Sequence, residues 1–483
     1  MPLQSQYASL PHAFYQKVSP ATFPMPQLFL FNHKLAESLD LDELQTSQDN
    51  LALLFSGQEL FPGSHPIAQA YAGHQFGHFV PELGDGRAHL LGEIQNKEGK
   101  LVDVGLKGSG RTRFSRNADG RAHLGHTLRE YIMSEAMYHL GVPTSRSLAI
   151  VSTGESVRRE TEFPGAVLTR VADSHIRVGT FEYFAHRGDQ ENLQRLIDFA
   201  IKRHVPNARN QKEKNLYLID HVANKQISLI AQWMGIGFIH GVMNTDNCFI
   251  SGQTLDYGPC AMMDHFRSQQ VFSSIDHHGR YAYHNQPNII LWNLASFASC
   301  VLLATLQDKK TLEANVENYL QSWRSILQQK LHETFCNKLG FIPSDKSYDK
   351  PIQAFLQLLE DNKLDFTNSF RSIAQLIHDP NKDHSLKHTQ EGTAWIQMWL
   401  HELTHGKRSQ QEIIAQMNQH NPHMIPRNHW VQRAIDQSIQ GDNTTMEALL
   451  KALRHPFDPA QEQKPYLSPP TAEETIAATF CGT

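Results

Sequence analysis

The segment His240-Gly241-Val242-Met243-Asn244-Thr245-Asp246-Asn247 is followed closely by Leu255-Asp256-Tyr257-Gly258. An amide oxygen at Asn247 and a carboxylate at Asp256 are hard donors that can converge on a divalent cation beside a polyphosphate. Upstream, Val104-Gly105-Leu106-Lys107 ends in an ammonium suited to phosphate oxygens, and Glu130 is spaced to pair with it and orient it. Leu83-Gly84-Asp85-Gly86-Arg87 adds the backbone N–H groups of a tight turn and a planar guanidinium fork.

The order of these residues resembles the protein-kinase pattern, in which H-R-D-L-x-x-x-N precedes a metal-binding D-F-G. His240 and Asn247 fall on the His and the Asn, and Asp256-Tyr257-Gly258 falls on the triplet. Val242 stands where the catalytic Asp belongs, and it cannot accept a proton. Two readings follow: an inactive pseudokinase, or a chain in which Asp246 does the base work from another angle. Either way, ordinary phosphoryl transfer is disfavoured.

The elements that must position these groups are legible in outline. Residues 88–94 and 101–107 flank the turn Asn96-Lys97-Glu98-Gly99 and read as a β-hairpin. The glycine turn at 83–87 is expected between the first two strands, the earlier one at Phe79-Val80. Leu128, Tyr131, Ile132, Ala136 and Leu140 make one apolar stripe of a helix that Gly141 and Pro143 end, with Glu130 on its flank. A second helix is expected over 222–239, and two small strands at 248–250 and 254–255. A short helical pattern lies near 35–44, and from 291 to 440 the patterns are mostly helical.

Bulk properties set limits. The chain has 483 residues, 40% of them hydrophobic, and a net charge of −5, too mild and mixed to mark a nucleic-acid or membrane surface. Five cysteines do not make a disulfide framework, and the first residues lack a secretory pattern, so a cytoplasmic protein is expected. The 28 histidines are scattered; His74 and His78 share metal-ligand spacing without an evident third ligand, and are read as packed, hydrogen-bonded histidines.

The runs YAGHQFGHFVPELGDGRAHLLGEI, LKGSGRTRFSRNADGRAHL, REYIMSEAMYHLGVPTSRSL and HGVMNTDNCFISGQTLDYGPC, with the tail FCGT, resemble selenoprotein O signatures over nearly the whole chain. The resemblance implies an α+β, protein-kinase-like two-lobed fold. Its parts would be an extension at 1–70, a β-rich lobe at 71–180, a helical lobe at 181–440 and a tail at 441–483. It implies a protein adenylyltransferase that binds ATP in a flipped orientation and moves AMP to Ser, Thr or Tyr hydroxyls. Asp246 would be the base. Gly84, Gly86, Arg87, Lys107, Asp119, Gly120, Arg170, Arg177 and Asp256 would surround the nucleotide. Asn247 and Asp256 would hold Mg²⁺ or Mn²⁺. The chain would act as a monomer on protein substrates, without nucleic acid or membrane.

Other readings stand beside these. Arg170 and Arg177 also suit structural pairs with Asp173 and Glu182, and Asp119-Gly120 suits a plain turn. Cys481 stands where many family members carry selenocysteine, and its placement suggests a reversible disulfide with Cys260. The rival functions are a nucleotide-binding pseudokinase scaffold and an atypical kinase that transfers the γ-phosphate.

Overall fold

The computed structural model describes residues 2–41, 47–305, 308–404, 408–461 and 464–480. Its strands are β1 (Tyr15–Lys17), β2 (Gln27–Phe31), β3 (Ile67–Gln69), β4 (Gly73–Gln75), β5 (His78–Val80), β6 (Ala88–Gln95), β7 (Leu101–Lys107), β8 (Ala122–His123), β9 (Arg146–Arg158) and β10 (Glu162–Ala172). An antiparallel sheet runs β1-β3-β6-β7-β10-β9-β2, with β8 paired to β10. The β6–β7 hairpin closes at Asn96-Lys97-Glu98-Gly99 as expected, with Ala88 opposite Lys107 and Gln95 opposite Leu101. Residues 1–70 supply β1, β2 and β3, so they are woven into the sheet's edges.

Strand periodicity then decides what faces what. Val102, Val104 and Leu106 of β7 point to one face, where they pack with Leu35, Ala36 and Phe55 of α1 (His33–Ser38) and α2 (Gln48–Ser56). Lys107 and its partner Leu168 point to the other face, against α3 (Leu124–His139). The rest of the 35–44 pattern, at 42–46, lies outside the described residues.

Every residue of α3 from Leu124 to Met137 is buried, so Glu130 is not on an exposed flank. Glu130 and Ser134, which lie off the stripe read from the sequence, face the sheet. The stripe's own side, where Gly125 aligns with Leu128 and Ile132, packs on a later helix, a contact that no local pattern reports.

The second half is helical: α4 (Val178–His186), α5 (Gln190–His204), α6 (Lys214–Ile236), α7 (Gln286–Leu303), α8 (Lys309–Leu339), α9 (Asp349–Asp361), α10 (Phe366–Ile373), α11 (Gln375–His378), α12 (Gln390–Thr404), α13 (Gln410–His420) and α14 (Asn428–Ile439). The helix that meets the far side of α3 is α14. Helix α6 begins earlier than expected and stops at Ile236, because Gly237 takes a left-handed φ of 73° and caps it. Residues 238–239 form β11 (Phe238–Ile239), paired with β12 (Ala261–Met262).

The segments at 248–250 and 254–255 do not pair with each other. Phe249 bridges Arg177, and Thr254 bridges Thr144. The expected first strand at 79–80 is also different: β5 belongs to a separate hairpin with β4, inserted between β3 and the glycine turn. The stretch Tyr283–Leu303 is long and apolar enough to cross a membrane, but 61% of its apolar 18-residue window is buried inside the protein.

Lys338 on α8 is 2% exposed. Its Nζ lies 4.2 Å from the centre of the Phe370 ring and donates to the His420 carbonyl at 3.4 Å. No carboxylate pairs with it among the described residues. Burial therefore pulls its pKa down from 10.5 to about 7. The unfolded chain binds this proton more tightly between those values, so stability is lost as pH falls from 10.5 toward 7. Lys338→Met is expected to stabilise the fold at pH 7 by on the order of a few kcal/mol, seen as a higher melting temperature. The gain should shrink as pH approaches 10. A melting series in which the variant is no more stable than wild type at pH 7 defeats this account.

Candidate active site

The candidate site is a cleft of about 780 Å³, and one charge network forms its back wall. Glu130, 1% exposed, receives Lys107 Nζ at 2.7 Å on Oε2. The Arg170 guanidinium grips the same carboxylate in a two-point contact, with Nη2 at 2.8 Å from Oε2. Lys107 Nζ also donates to Asp256 Oδ1 at 2.8 Å. Burial alone would raise the carboxyl pKa values of Glu130 and Asp256. The facing Lys107 and Arg170 charges outweigh it, and both acids stay ionised below the usual range.

Sheet geometry explains the convergence. Arg170 lies opposite Gly105, and Lys107 lies opposite Leu168, so both cations project toward α3. The structural pairs that the sequence offered for Arg170 and Arg177 do not form. Asp173 takes Lys100, and Glu182 takes His74.

The loop after β11 carries the other half of the chemistry. The His240 Nε2–H donates to the Leu255 carbonyl at 2.7 Å while Nδ1 accepts from the Val242 N–H at 3.3 Å. That fixes a neutral imidazole as a clasp between the loop and the residue preceding Asp256. Burial lowers its pKa and keeps it neutral. Asn247 donates Nδ2 to the Val242 carbonyl at 3.1 Å, which leaves its oxygen as the donor atom for a cation. Asp256 adopts a left-handed φ of 64°, a conformation Asp tolerates better than most residues.

Asp246 also lines the cleft. Burial pushes its pKa up to about 6, against the lowering effect of Arg177. Its Oδ2 accepts from Gln75 Nε2 at 3.3 Å.

The glycine turn forms the roof. Gly84 has a φ of 76°, and a Cβ there would sit 2.2 Å from the Phe114 ring, so no side chain fits. Ser115 Oγ donates to the Gly86 carbonyl, and Thr112 Oγ1 to the Asp85 carbonyl at 2.7 Å. Arg177 stacks over the Tyr71 ring at 4.1 Å and holds Asp85 Oδ1 at 3.0 Å.

At the outer rim, the Asp119 carboxylate binds the Arg159 guanidinium at 2.7 and 3.1 Å and accepts the Arg121 N–H at 2.9 Å. Gly120, with a φ of 72°, packs on the Gly110 backbone. Asp119-Gly120 is thus a turn, and also a clamp on an arginine at the cleft.

The structure brings Gly84, Gly86, Arg87, Lys107, Asp119, Gly120, Arg170, Arg177, Asp246, Asn247 and Asp256 to this one cleft. Glu130 stands behind it. Cys260 is fully buried, and burial pushes its thiol up to about 12. Cys481 lies outside the described residues, although Thr479 is tied to the Pro259 carbonyl and to Phe272.

Residues that the sequence did not single out include Gln75, Asn244 and Arg159. Arg159 comes from the β9–β10 turn and no motif marks it. The GHQFGHF run held Gln75 in plain view, but only the fold shows what it faces.

The donor set suits a hard divalent cation: an amide oxygen and a carboxylate kept ionised by its neighbours. His126, Glu130 and Asp256 also present donor atoms within 4.8 Å of one another. There, however, Lys107 Nζ already bridges the two carboxylates.

Carboxylate, carboxamide and clustered cations around one cleft define an enzyme that handles a nucleotide. The chain belongs to the protein adenylyltransferase SelO family, whose model matches residues 1–454. It is 44% identical to the protein nucleotidyltransferase YdiU of Maridesulfovibrio salexigens, over 100% of this chain and 98% of that protein. It is 46% identical to the protein of the same name from Nitrosococcus oceani, over 99% of this chain and 96% of the relative. The counterpart in Bacillus cereus is 45% identical, over 100% and 98%.

Glu130→Gln tests the back wall. A neutral amide leaves Lys107 and Arg170 buried with Asp256 as their one remaining shared counter-charge, at a cost of about 3–5 kcal/mol. Urea unfolding is expected to show that loss. A drop of less than about 1 kcal/mol removes the cluster from the role given to it here.

Proposed function

We propose that this protein transfers AMP from ATP to Ser, Thr or Tyr hydroxyls of proteins and releases pyrophosphate. The observation that carries the reading is the company Asp246 keeps. A partly buried carboxylate shares a cleft with Lys107, Asn247 and Asp256, while the buried Val242 fills the place where a kinase carries its base. Membership of an adenylyltransferase family and the names of the full-length relatives support it.

In this mechanism Asp246 takes the proton of the acceptor hydroxyl. The hydroxyl oxygen bonds to the α-phosphorus, the bond from that phosphorus to the bridging oxygen breaks, and pyrophosphate carries away the electron pair. Asn247 and Asp256 would hold Mg²⁺ or Mn²⁺, which would neutralise polyphosphate charge when bound. Lys107, kept in place by Glu130, faces the phosphates. Gly84 and Gly86 leave backbone close to them, and Arg87, Arg170 and Arg177 stabilise charge on the leaving group. Asp119 and Gly120 shape the rim and hold Arg159 beside it.

The architecture assigned to this activity is kinase-like and two-lobed. Residues 1–70 form an extension whose strands complete the edges of the sheet lobe at 71–180, with the helical lobe at 181–440 and the tail at 441–483. The protein acts as a cytoplasmic monomer on protein acceptors, and Cys481 with Cys260 forms a possible redox pair.

The deciding experiment supplies ATP labelled separately at the α- and γ-phosphates to wild type, Asp246→Asn and Asp256→Ala. Transfer of the α-label to protein is expected, reduced at least about 100-fold in both variants. Transfer of the γ-label alone makes the enzyme a kinase with an unusual base, and transfer of neither label makes it a scaffold.

A further inference from the structure

The β4–β5 hairpin reaches the loop that carries Asp246 and matches it residue for residue. The His74 N–H donates to Thr245 Oγ1 at 2.7 Å. Gln75 Nε2 donates to Asp246 Oδ2 at 3.3 Å. The Phe76 N–H donates to Asn244 Oδ1 at 3.1 Å. Three consecutive hairpin residues thus hold three consecutive loop residues.

The hairpin is itself anchored. The Glu182 carboxylate on α4, 3% exposed, accepts Thr245 Oγ1 at 2.6 Å on one oxygen and His74 Nδ1 at 2.8 Å on the other. Ser296 on α7 donates to the same carboxylate.

Two of the three contacts to the loop come from hairpin backbone, and they suffice to dock the hairpin there. The third is different in kind, because a side-chain amide addresses the carboxylate that takes the proton. It is the one side-chain hydrogen bond on that carboxylate among the described residues. The other oxygen, Oδ1, is buried without a hydrogen-bond partner; a Cβ at Gly73 would come within 2.8 Å of it. Rotation about the Cβ–Cγ bond of an Asp is broad, so packing on one oxygen alone does not set the carboxylate plane. A directional donor on the second oxygen does.

We infer that Gln75 is a positioning residue for Asp246, holding its carboxylate plane toward the acceptor hydroxyl. The inference rests on the AMP-transfer reading above and adds to it a role for Gln75, a residue inside a family signature run whose part in the site the sequence reading left unassigned. Gln75 does not itself accept the proton. It acts through Asp246, so its loss should appear in turnover rather than in ATP binding.

The test uses the full chain, α- and γ-labelled ATP, and casein as the protein acceptor, with self-labelling read in parallel. Gln75→Leu removes the donor, and Gln75→Glu keeps the size but sets an acceptor against Asp246. Both are expected to lower kcat about 10–100-fold while KM for ATP changes less than about twofold and the melting temperature stays near that of wild type. His78→Ala, at an exposed position on the same hairpin, should leave kcat unchanged.

An unchanged kcat in Gln75→Leu, a Gln75→Glu variant as active as wild type, or a loss confined to KM overturns the proposal. If wild type moves the γ-label instead, the AMP-transfer reading fails separately, and Gln75 is then judged by the same kcat comparison on that reaction. If wild type moves neither label, both fall.

Discussion

One buried carboxylate organises this protein. Glu130, helped by Asp256, neutralises Lys107 and Arg170 in a setting almost without water, where an uncompensated charge costs several kcal/mol. Because those cations sit on two neighbouring strands and the acid on α3, the three can meet only if sheet and helix are docked in one register. Lys107 then has a second hand for Asp256, which belongs to the helical half of the chain. A single ammonium group thereby joins the two halves at the point where chemistry is to happen.

Around that junction, neutral contacts do the aiming. His240 clasps the Asp246-bearing loop to Leu255, and Asn247 ties back to the Val242 carbonyl. Arg129 of α3 reaches across to the carbonyls of Gly258 and Cys260. None of these groups brings a net charge change to the cleft except Arg129, which is spent on backbone. The cleft can therefore keep its surplus of positive charge for a polyanionic substrate.

Much of this was readable in the residues, and what was missed shares a physical cause. The β6–β7 hairpin and α3 announced themselves because alternation and helical periodicity are local properties. So did the spacing of Lys107, Glu130, Asn247 and Asp256. The partners of Arg170 and Arg177 did not, because sequence neighbours such as Asp173 and Glu182 were the only acids a linear reading could offer. The true partners, Glu130 and Asp85, lie far along the chain and meet these arginines only in the folded protein. The full burial of α3 escaped for the same reason: its polar side, with Glu130 and Ser134, is covered by strands that helical periodicity does not report. At 248–255 the apolar residues that suggested a strand pair each found a bridge to a separate segment instead.

The roof over the cleft has a mechanical consequence. The Phe114 ring fills the space a side chain would take at Gly84, and the Ser115 and Thr112 hydroxyls close on the carbonyls of Gly86 and Asp85. Two stretches of chain on opposite sides of the β6–β7 hairpin are thereby riveted into one plate. Such a plate hinges as a whole or stays shut; neither stretch can lift alone. A substitution in one stretch that breaks these contacts therefore loosens the other as well.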